Sequence, residues 1–264
     1  DFSEQCLQVG IEEQVPVAIV SQGSPEVYTE KLKKAGIKVI HVCATVRHAL
    51  KAEQAGVDAV VASGTEGGGH SGFDQNTTFC IVPQVVDAVS IPVIAGGGVA
   101  GGRQLGAAVA LGAHGVYVGT RFIATMECPA HETYKQALLA ARDGDTFSIR
   151  HGQAARPGPG NRGFSAERRG SLRVLLNDRL RTVLAENSGA VTYESLARAQ
   201  APPGSGSGRS SSSSMVRGDD ENAFFAAGQG AALIHEILPC KKLIEKMVLE
   251  AEKSFETGNR VFRG

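Results

Sequence analysis

The chain has 264 residues, 42% of them hydrophobic, which suffices for one large α/β domain or two small ones with a substantial core. Lys plus Arg equals Asp plus Glu at 27 residues each, so no net charge favours nucleic acid or an anionic membrane surface as a partner. The five cysteines are far apart and form no CxxC pair, which argues against a metal site or a disulfide framework and favours reduced thiols in the cytoplasm.

Five short apolar runs occupy the first half of the chain, at 15–21, 38–45, 58–64, 91–97 and 115–120. Each is rich in Val, Ile and Ala, as in strands that are buried on both faces of a parallel sheet. Five segments before or between these runs predict helices, over 1–14, 25–36, 46–56, 82–89 and 102–112. Because strands and helices alternate, residues 1–149 predict a series of βαβ units.

Beyond residue 124 the pattern changes to helices and irregular chain. A helix is predicted over 125–145, and an exposed loop over 150–170, which is rich in Arg, Gly and Pro. Residues 171–200 look helical again, whereas 201–216 are a Ser/Gly tract that predicts a disordered linker. The C-terminal region, 217–264, predicts two helices, over 221–237 and 240–256, and the second is strongly amphipathic.

Glycine-rich turns follow three consecutive predicted strands. The first turn lies in SGTEGGGHSGF at 63–73, where Gly67 to Gly69 leave the backbone bare, so that a flat ligand can approach it closely. His70 comes next, and an imidazole at that place can accept or return a proton at physiological pH. The alternative is a Gly-rich turn with a surface histidine.

The second and third turns lie in IPVIAGGGVAGG at 91–102 and GVYVGTRF at 115–122. Bare N–H groups at a turn and at a helix N-terminus can bind an anion. TIM barrels often bind phosphate in the loops after strands 7 and 8. Five strands would fit an open sheet, but this phosphate pattern favours a TIM (β/α)8 barrel whose strands 1–3 are missing from this chain.

The motifs TEGGGHSGF, IPVIAGGGVAGG and GVYVGTRFIAT resemble the nitronate monooxygenase (2-nitropropane dioxygenase) family, which includes a flavin-dependent enoyl-ACP reductase. The resemblance covers residues 15–145 and resumes at 171–178 and 217–247. It implies an FMN-binding barrel with His70 as the catalytic base. The glycines and polar residues expected to bind the flavin are Gly68, Gly69, Gly97, Gly98, Gly119, Thr120 and Gln229, and the C-terminal helices are expected to pack near it.

The chain departs from the family pattern at the flavin site and at its N-terminus. Many members have Gln at the positions of Ser63 and Tyr117, and either change would alter hydrogen bonding to the flavin. Three N-terminal βα units of the family are absent here, and 150–170 and the Ser tract look like insertions.

The resemblance leaves three functions open. The first is oxidation of alkyl nitronates or nitroalkanes by O2, and the second is NAD(P)H-dependent reduction of an enoyl thioester. The third is an inactive, flavin-free remnant, whose open sheet edges would make it dimerise, aggregate or require the missing segment in trans. No run approaches the roughly 18 apolar residues of a membrane span, so small molecules are the expected partners, not nucleic acid or a membrane.

Overall fold

The computed structural model of the protein describes residues 2–150, 170–186 and 225–263. The predicted Ser/Gly linker at 201–216 lies outside these residues, as does nearly all of the predicted loop at 150–170. The same is true of residues 187–200, at the end of the predicted helical segment.

A five-stranded parallel sheet forms the centre of the molecule. Its strands are β1 (Val17–Val20), β2 (Lys38–Cys43), β3 (Ala59–Ser63), β5 (Val93–Gly96) and β6 (Gly115–Tyr117). All five confirm the predicted strands, and their spatial order β1-β2-β3-β5-β6 follows the order of the chain. In a doubly wound fold the strand order reverses part-way across the sheet. Here each strand lies next to the preceding parallel strand, as in a β/α barrel.

Helices cover one face of this sheet. They are α1 (Phe2–Glu12), α2 (Glu26–Lys34), α3 (Val46–Gln54), α4 (Thr78–Ala88) and α5 (Gly102–Ala110), and they confirm the five predicted helices with shifted ends. Val39 and Val60 on the strands pack with Leu32, Ala49 and Val85 on the helices, and all five are at most 2% exposed. Fully burying one such Val or Leu contributes about 1.5–3 kcal/mol, which fixes the helices on the sheet.

A second, antiparallel sheet has the order β4-β8-β7 and was not predicted. Its strands are β4 (Gly69–Ser71), β7 (Thr146–Arg150) and β8 (Ser171–Leu175), and α8 (Asp178–Glu186) packs on it. The helical interpretation of 171–200 is therefore wrong at its start. The helix predicted over 125–145 is shorter in the structure, where α7 covers Glu132–Ala140. A separate short helix, α6 (Thr120–Ile123), precedes it.

The C-terminal region contains one long helix, α9 (Cys240–Arg263), which confirms the predicted amphipathic helix. It packs closely on α5, where a Cβ added at Gly102 would lie 2.3 Å from the Met247 carbonyl oxygen. The helix predicted over 221–237 is wrong within the described residues, which form only a short 3₁₀ helix at Gln229–Leu233. At its start, the Gln229 N–H donates to the Glu66 carbonyl of the first glycine turn at 2.8 Å, while the Ala231 and Ile234 N–H groups bond within the segment.

Two features are absent from the described residues, a membrane-spanning helix and a cluster of metal ligands. None of their helices combines the length and the apolar character needed to cross a lipid bilayer. They also contain no group of three or more His, Cys, Asp and Glu side chains arranged to hold a metal ion.

Candidate functional site

A cavity of about 280 Å³ lies where β3, β5 and β6 end. Ligands of parallel α/β folds bind at this carboxyl edge of the sheet. Backbone from all three predicted glycine turns lines the cavity, and a fourth segment from the C-terminal region closes it. The lining residues are Ser63, Gly67, Gly68, Gly97, Gly98, Val99, Tyr117, Gly119, Thr120, Ile123, Tyr134, Ala226, Gly228 and Gly230.

A larger cavity of about 670 Å³ lies between α5 and α9. It shares no lining residue with the smaller cavity, and most of its lining residues lie on helices. We assign the candidate site to the smaller cavity because bare backbone from three consecutive strand ends meets there.

Glycine is required at several points of this cavity because other backbone lies against it. A Cβ at Gly68 would be 2.6 Å from the Gly228 nitrogen and 2.7 Å from the Ala227 carbonyl carbon. Gly97 and Gly98 have φ of +106° and +70°, a region that L side chains rarely adopt. A Cβ at Gly119 would meet nothing within 4 Å, so this residue leaves open space in the cavity wall.

Glu66 holds the first glycine turn on the sheet. Both of its carboxylate oxygens accept the Thr78 N–H at 2.9 Å, and the Thr78 hydroxyl donates to the same carboxylate at 3.0 Å. The carboxylate thus lies at the N-terminus of α4, where a negative charge is favourable. The backbone carbonyl of Glu66 accepts the Gln229 N–H, so Glu66 connects the turn, α4 and the C-terminal segment.

Thr120 lies at the start of α6 and connects the third turn to the C-terminal segment. Its hydroxyl oxygen accepts the Gly228 N–H at 2.9 Å. The hydroxyl proton remains available to an oxygen of a ligand, whereas the N–H groups of Phe122 and Ile123 donate to the Gly119 carbonyl. The described lining residues include no charged side chain, so an anion here would be held by N–H groups and a hydroxyl.

Tyr134 on α7 forms an aromatic part of the wall that the sequence did not single out. Its ring stacks on Phe225 with the ring centroids 4.3 Å apart, and its hydroxyl donates to the Ala226 carbonyl. Burial raises the pKa of the Tyr134 phenol, with a further rise from Cys128. The phenol therefore stays neutral, and no sequence signal distinguishes Tyr134 from an ordinary core aromatic.

Buried Arg173 on β8 supports the peptide that carries the glycine turn. Its Nε donates to the Thr65 carbonyl at 3.0 Å and its Nη1 to the Thr146 hydroxyl at 3.2 Å. Burial lowers the pKa of this guanidinium, and the nearby Glu66 carboxylate opposes that effect. Arg173 thereby connects the small antiparallel sheet to the carboxyl edge of the parallel sheet.

The predicted site residues divide into two groups. The cavity brings together Gly68, Gly97, Gly98, Gly119 and Thr120, and also the two departures from the family pattern, Ser63 and Tyr117. Gly69, His70 and Gln229 do not line it.

His70 lies in β4 and not in a loop as expected, and its side chain is exposed. It pairs with Leu172 across the small sheet. It follows Gly68 by two residues, so the two Cα atoms are at most about 7 Å apart. His70 is therefore close to the cavity but does not form part of its wall.

Comparison with known proteins gives a consistent result. A family model described as nitronate monooxygenase matches residues 3–250. A protein of Staphylococcus aureus described as a probable nitronate monooxygenase is 42% identical over 145 residues, 52% of this chain. The aligned part is only 41% of that relative, so this chain spans less than half of its length.

Solved structures resemble nearly all of the chain. FabK from Thermotoga maritima is 35% identical with a TM-score of 0.78, covering 98% of this chain and 75% of FabK. A nitroalkane oxidase from Streptomyces ansochromogenes is 27% identical with a TM-score of 0.70, covering 97% of this chain and 69% of that protein. Both likenesses extend through the parallel sheet and the C-terminal region.

Proposed function

Because the chain belongs to the nitronate monooxygenase family, we propose that it is the flavin-binding part of an FMN-dependent oxidoreductase that oxidises alkyl nitronates or nitroalkanes with O2. In this proposal its five parallel strands are strands 4 to 8 of an eight-stranded barrel. The observation that carries the proposal is the cavity in which three glycine turns meet at the carboxyl edge of the sheet.

The residues around the cavity suit FMN chemically. Gly119 leaves space that any other side chain would fill, and the Thr120 hydroxyl can donate to a phosphate oxygen. Gly68, Gly97 and Gly98 present bare backbone on which a flat ring system can lie. The buried, neutral Tyr134 would keep charge away from the ring.

His70 is the proposed base. Its imidazole would accept the α-proton of a neutral nitroalkane bound at the cavity mouth, which leaves the substrate as the nitronate anion. Backbone N–H groups of the glycine turns are the proposed donors that stabilise the developing negative charge. Bound FMN would supply the redox chemistry by accepting electrons from the substrate.

The first test is flavin binding followed by activity with a small nitroalkane under O2, without NAD(P)H. His70→Asn is expected to retain the flavin spectrum and to lower kcat/KM for the neutral nitroalkane by about 10²–10⁴-fold, the usual contribution of a general base. His131→Asn is the matched control, since His131 caps α7 through its ring and Asn is itself a good capping residue.

Activity on the preformed nitronate anion distinguishes proton removal from the later oxidation. The anion needs no proton removed, so His70→Asn is expected to oxidise it at close to the unsubstituted rate. Full activity of His70→Asn on the neutral nitroalkane would refute the proposed base.

A second candidate is the reduction of an enoyl thioester by NAD(P)H, the other activity that the family resemblance implies. The higher identity to FabK than to the nitroalkane oxidase supports it. Rapid anaerobic bleaching of bound flavin by NADH or NADPH, without nitroalkane oxidation, would favour it. A colourless protein that takes up no FMN would exclude both activities for this chain and favour an inactive remnant.

A further inference from the structure

A second cavity, of about 490 Å³, lies beside the carboxyl ends of β1 and β2. Residues 22–25, which follow β1, form one side of it, and the first turn and a half of α3 forms the other. The ionisable side chains that line it are all bases: His41, Arg47, His48 and Lys51. It shares no lining residue with the glycine-lined cavity.

His41 provides the first independent indication of a ligand. Its side chain is only 4% exposed, and it lines this cavity from β2. Its Nδ1 is buried and has no hydrogen-bond partner among the described residues. A buried imidazole nitrogen without a partner is unfavourable, so an unpaired polar atom at a cavity wall suggests that a ligand completes its hydrogen bonding.

The charges on α3 provide the second indication. Arg47 and His48 lie in the first turn of the helix, and this first turn contains no acidic residue. A helix N-terminus carries a partial positive charge, so cations placed there repel it and one another. This arrangement opposes helix stability and becomes favourable when an anion lies between the helix and the loop.

The carboxylates near this cavity lie outside its lining. Glu26 pairs with Lys51 at 3.4 Å, and both side chains are largely exposed. Burial lowers the pKa of His48, and the charges of Arg47 and Lys51 lower it further, while Asp74 opposes them. Burial also lowers the pKa of His41, as does the nearby His48. At His48, two cations (Arg47 and Lys51) therefore act against one carboxylate (Asp74).

We propose that this cavity binds a phosphate group, either as free phosphate or as a phosphate monoester. A doubly charged anion matches the two permanent cations, Arg47 and Lys51, and its oxygens can accept from a nitrogen of His41. The cavity is much larger than one phosphate, so an organic group attached to the phosphate also has room. The site lies two strands from β5, about 10 Å across the sheet, on the same edge as the glycine-lined cavity.

The test is isothermal titration of the full chain with inorganic phosphate and with adenosine 5′-monophosphate, a phosphate monoester, at constant ionic strength. Arg47→Gln/Lys51→Gln removes two charges from the cavity and is expected to weaken binding at least about tenfold, since charge-assisted contacts are lost. Lys241→Gln/Lys242→Gln removes two exposed charges from α9 and is the matched control, expected to bind within about twofold of the unsubstituted chain.

Imidazole nitrogen resonances provide the readout at the site itself. Phosphate is expected to shift the His41 resonances, with the same dissociation constant as the titration. Tighter binding of the monophosphate than of inorganic phosphate would identify a phosphate monoester, and equal or weaker binding would identify free phosphate. Absence of saturable binding, or equal loss in both double variants, would overturn the proposal. These outcomes do not depend on flavin binding or turnover, so the proposed oxidoreductase activity can fail separately.

Discussion

Gly68→Ala tests whether the glycine turn and the C-terminal segment touch as described. The added Cβ would lie 2.6 Å from the Gly228 nitrogen, whereas ordinary contacts begin near 3.4 Å. The two backbones must therefore separate by roughly 0.8 Å, because neither can rotate away as a side chain would. That movement strains the hydrogen bonds from Gly228 to Thr120 and from Gln229 to Glu66. We expect a loss of about 1–3 kcal/mol in the free energy of unfolding, as for other overpacked sites.

Urea unfolding without flavin measures this loss as a lower midpoint at an unchanged slope. Gly119→Ala is the matched variant, since its Cβ meets nothing within 4 Å and φ is −107°, an ordinary value. It is expected to unfold within about 0.5 kcal/mol of the unsubstituted chain. Its methyl group occupies cavity space, so FMN binding, followed by fluorescence, is expected to weaken at least about tenfold. A Gly68→Ala chain as stable as Gly119→Ala would refute the close approach of the two backbones.

Three further predictions concern the residues that hold the site and the sheet. Glu66→Gln removes the charge at the start of α4 and is expected to cost about 1–3 kcal/mol in urea unfolding, whereas Glu252→Gln on exposed α9 surface should cost less than about 0.5 kcal/mol. Burial alone would raise the pKa of Asp58, but hydrogen bonds from two lysines and a backbone N–H lower it to about 2. Because the folded pKa is depressed, Asp58 stabilises the fold above pH 4 by about 1–2 kcal/mol, and this contribution disappears as the pH falls from about 4 to 2. Asp58→Asn should lower stability at pH 7 and flatten the unfolding profile in that window; an unchanged profile would contradict the shift. Burial raises the pKa of Cys43 to about 12, so Cys43 should react with a thiol reagent only on unfolding, while exposed Cys6 reacts at once; mass spectrometry of the labelled chain distinguishes the two.

Local sequence patterns predicted the parallel half of the molecule. Runs such as 58–64 are apolar because β3 is buried on both faces, and this environment restricts its composition to apolar residues. Gly97 and Gly98 were recognisable for the same reason, since a left-handed turn at a strand end restricts the residue type. The antiparallel strands had no comparable composition signal. Ser171–Leu175 is short, and its pairing partners lie far away in the chain.

The same distinction applies to the candidate site. The sequence by itself determined which turns have bare backbone and that they follow consecutive strands, because these properties depend on neighbouring residues. Only the tertiary structure decided that Tyr134 and Gly228 close the cavity and that His70 lies outside its wall, since those positions follow from contacts between distant segments. The helical composition of the described part of 221–237, residues 225–237, was overridden in the same way, because Gly228 and Gln229 bond to the glycine turns in place of a helix. A pattern read along the chain reports local environment, and the approach of distant backbones depends on how the whole molecule packs.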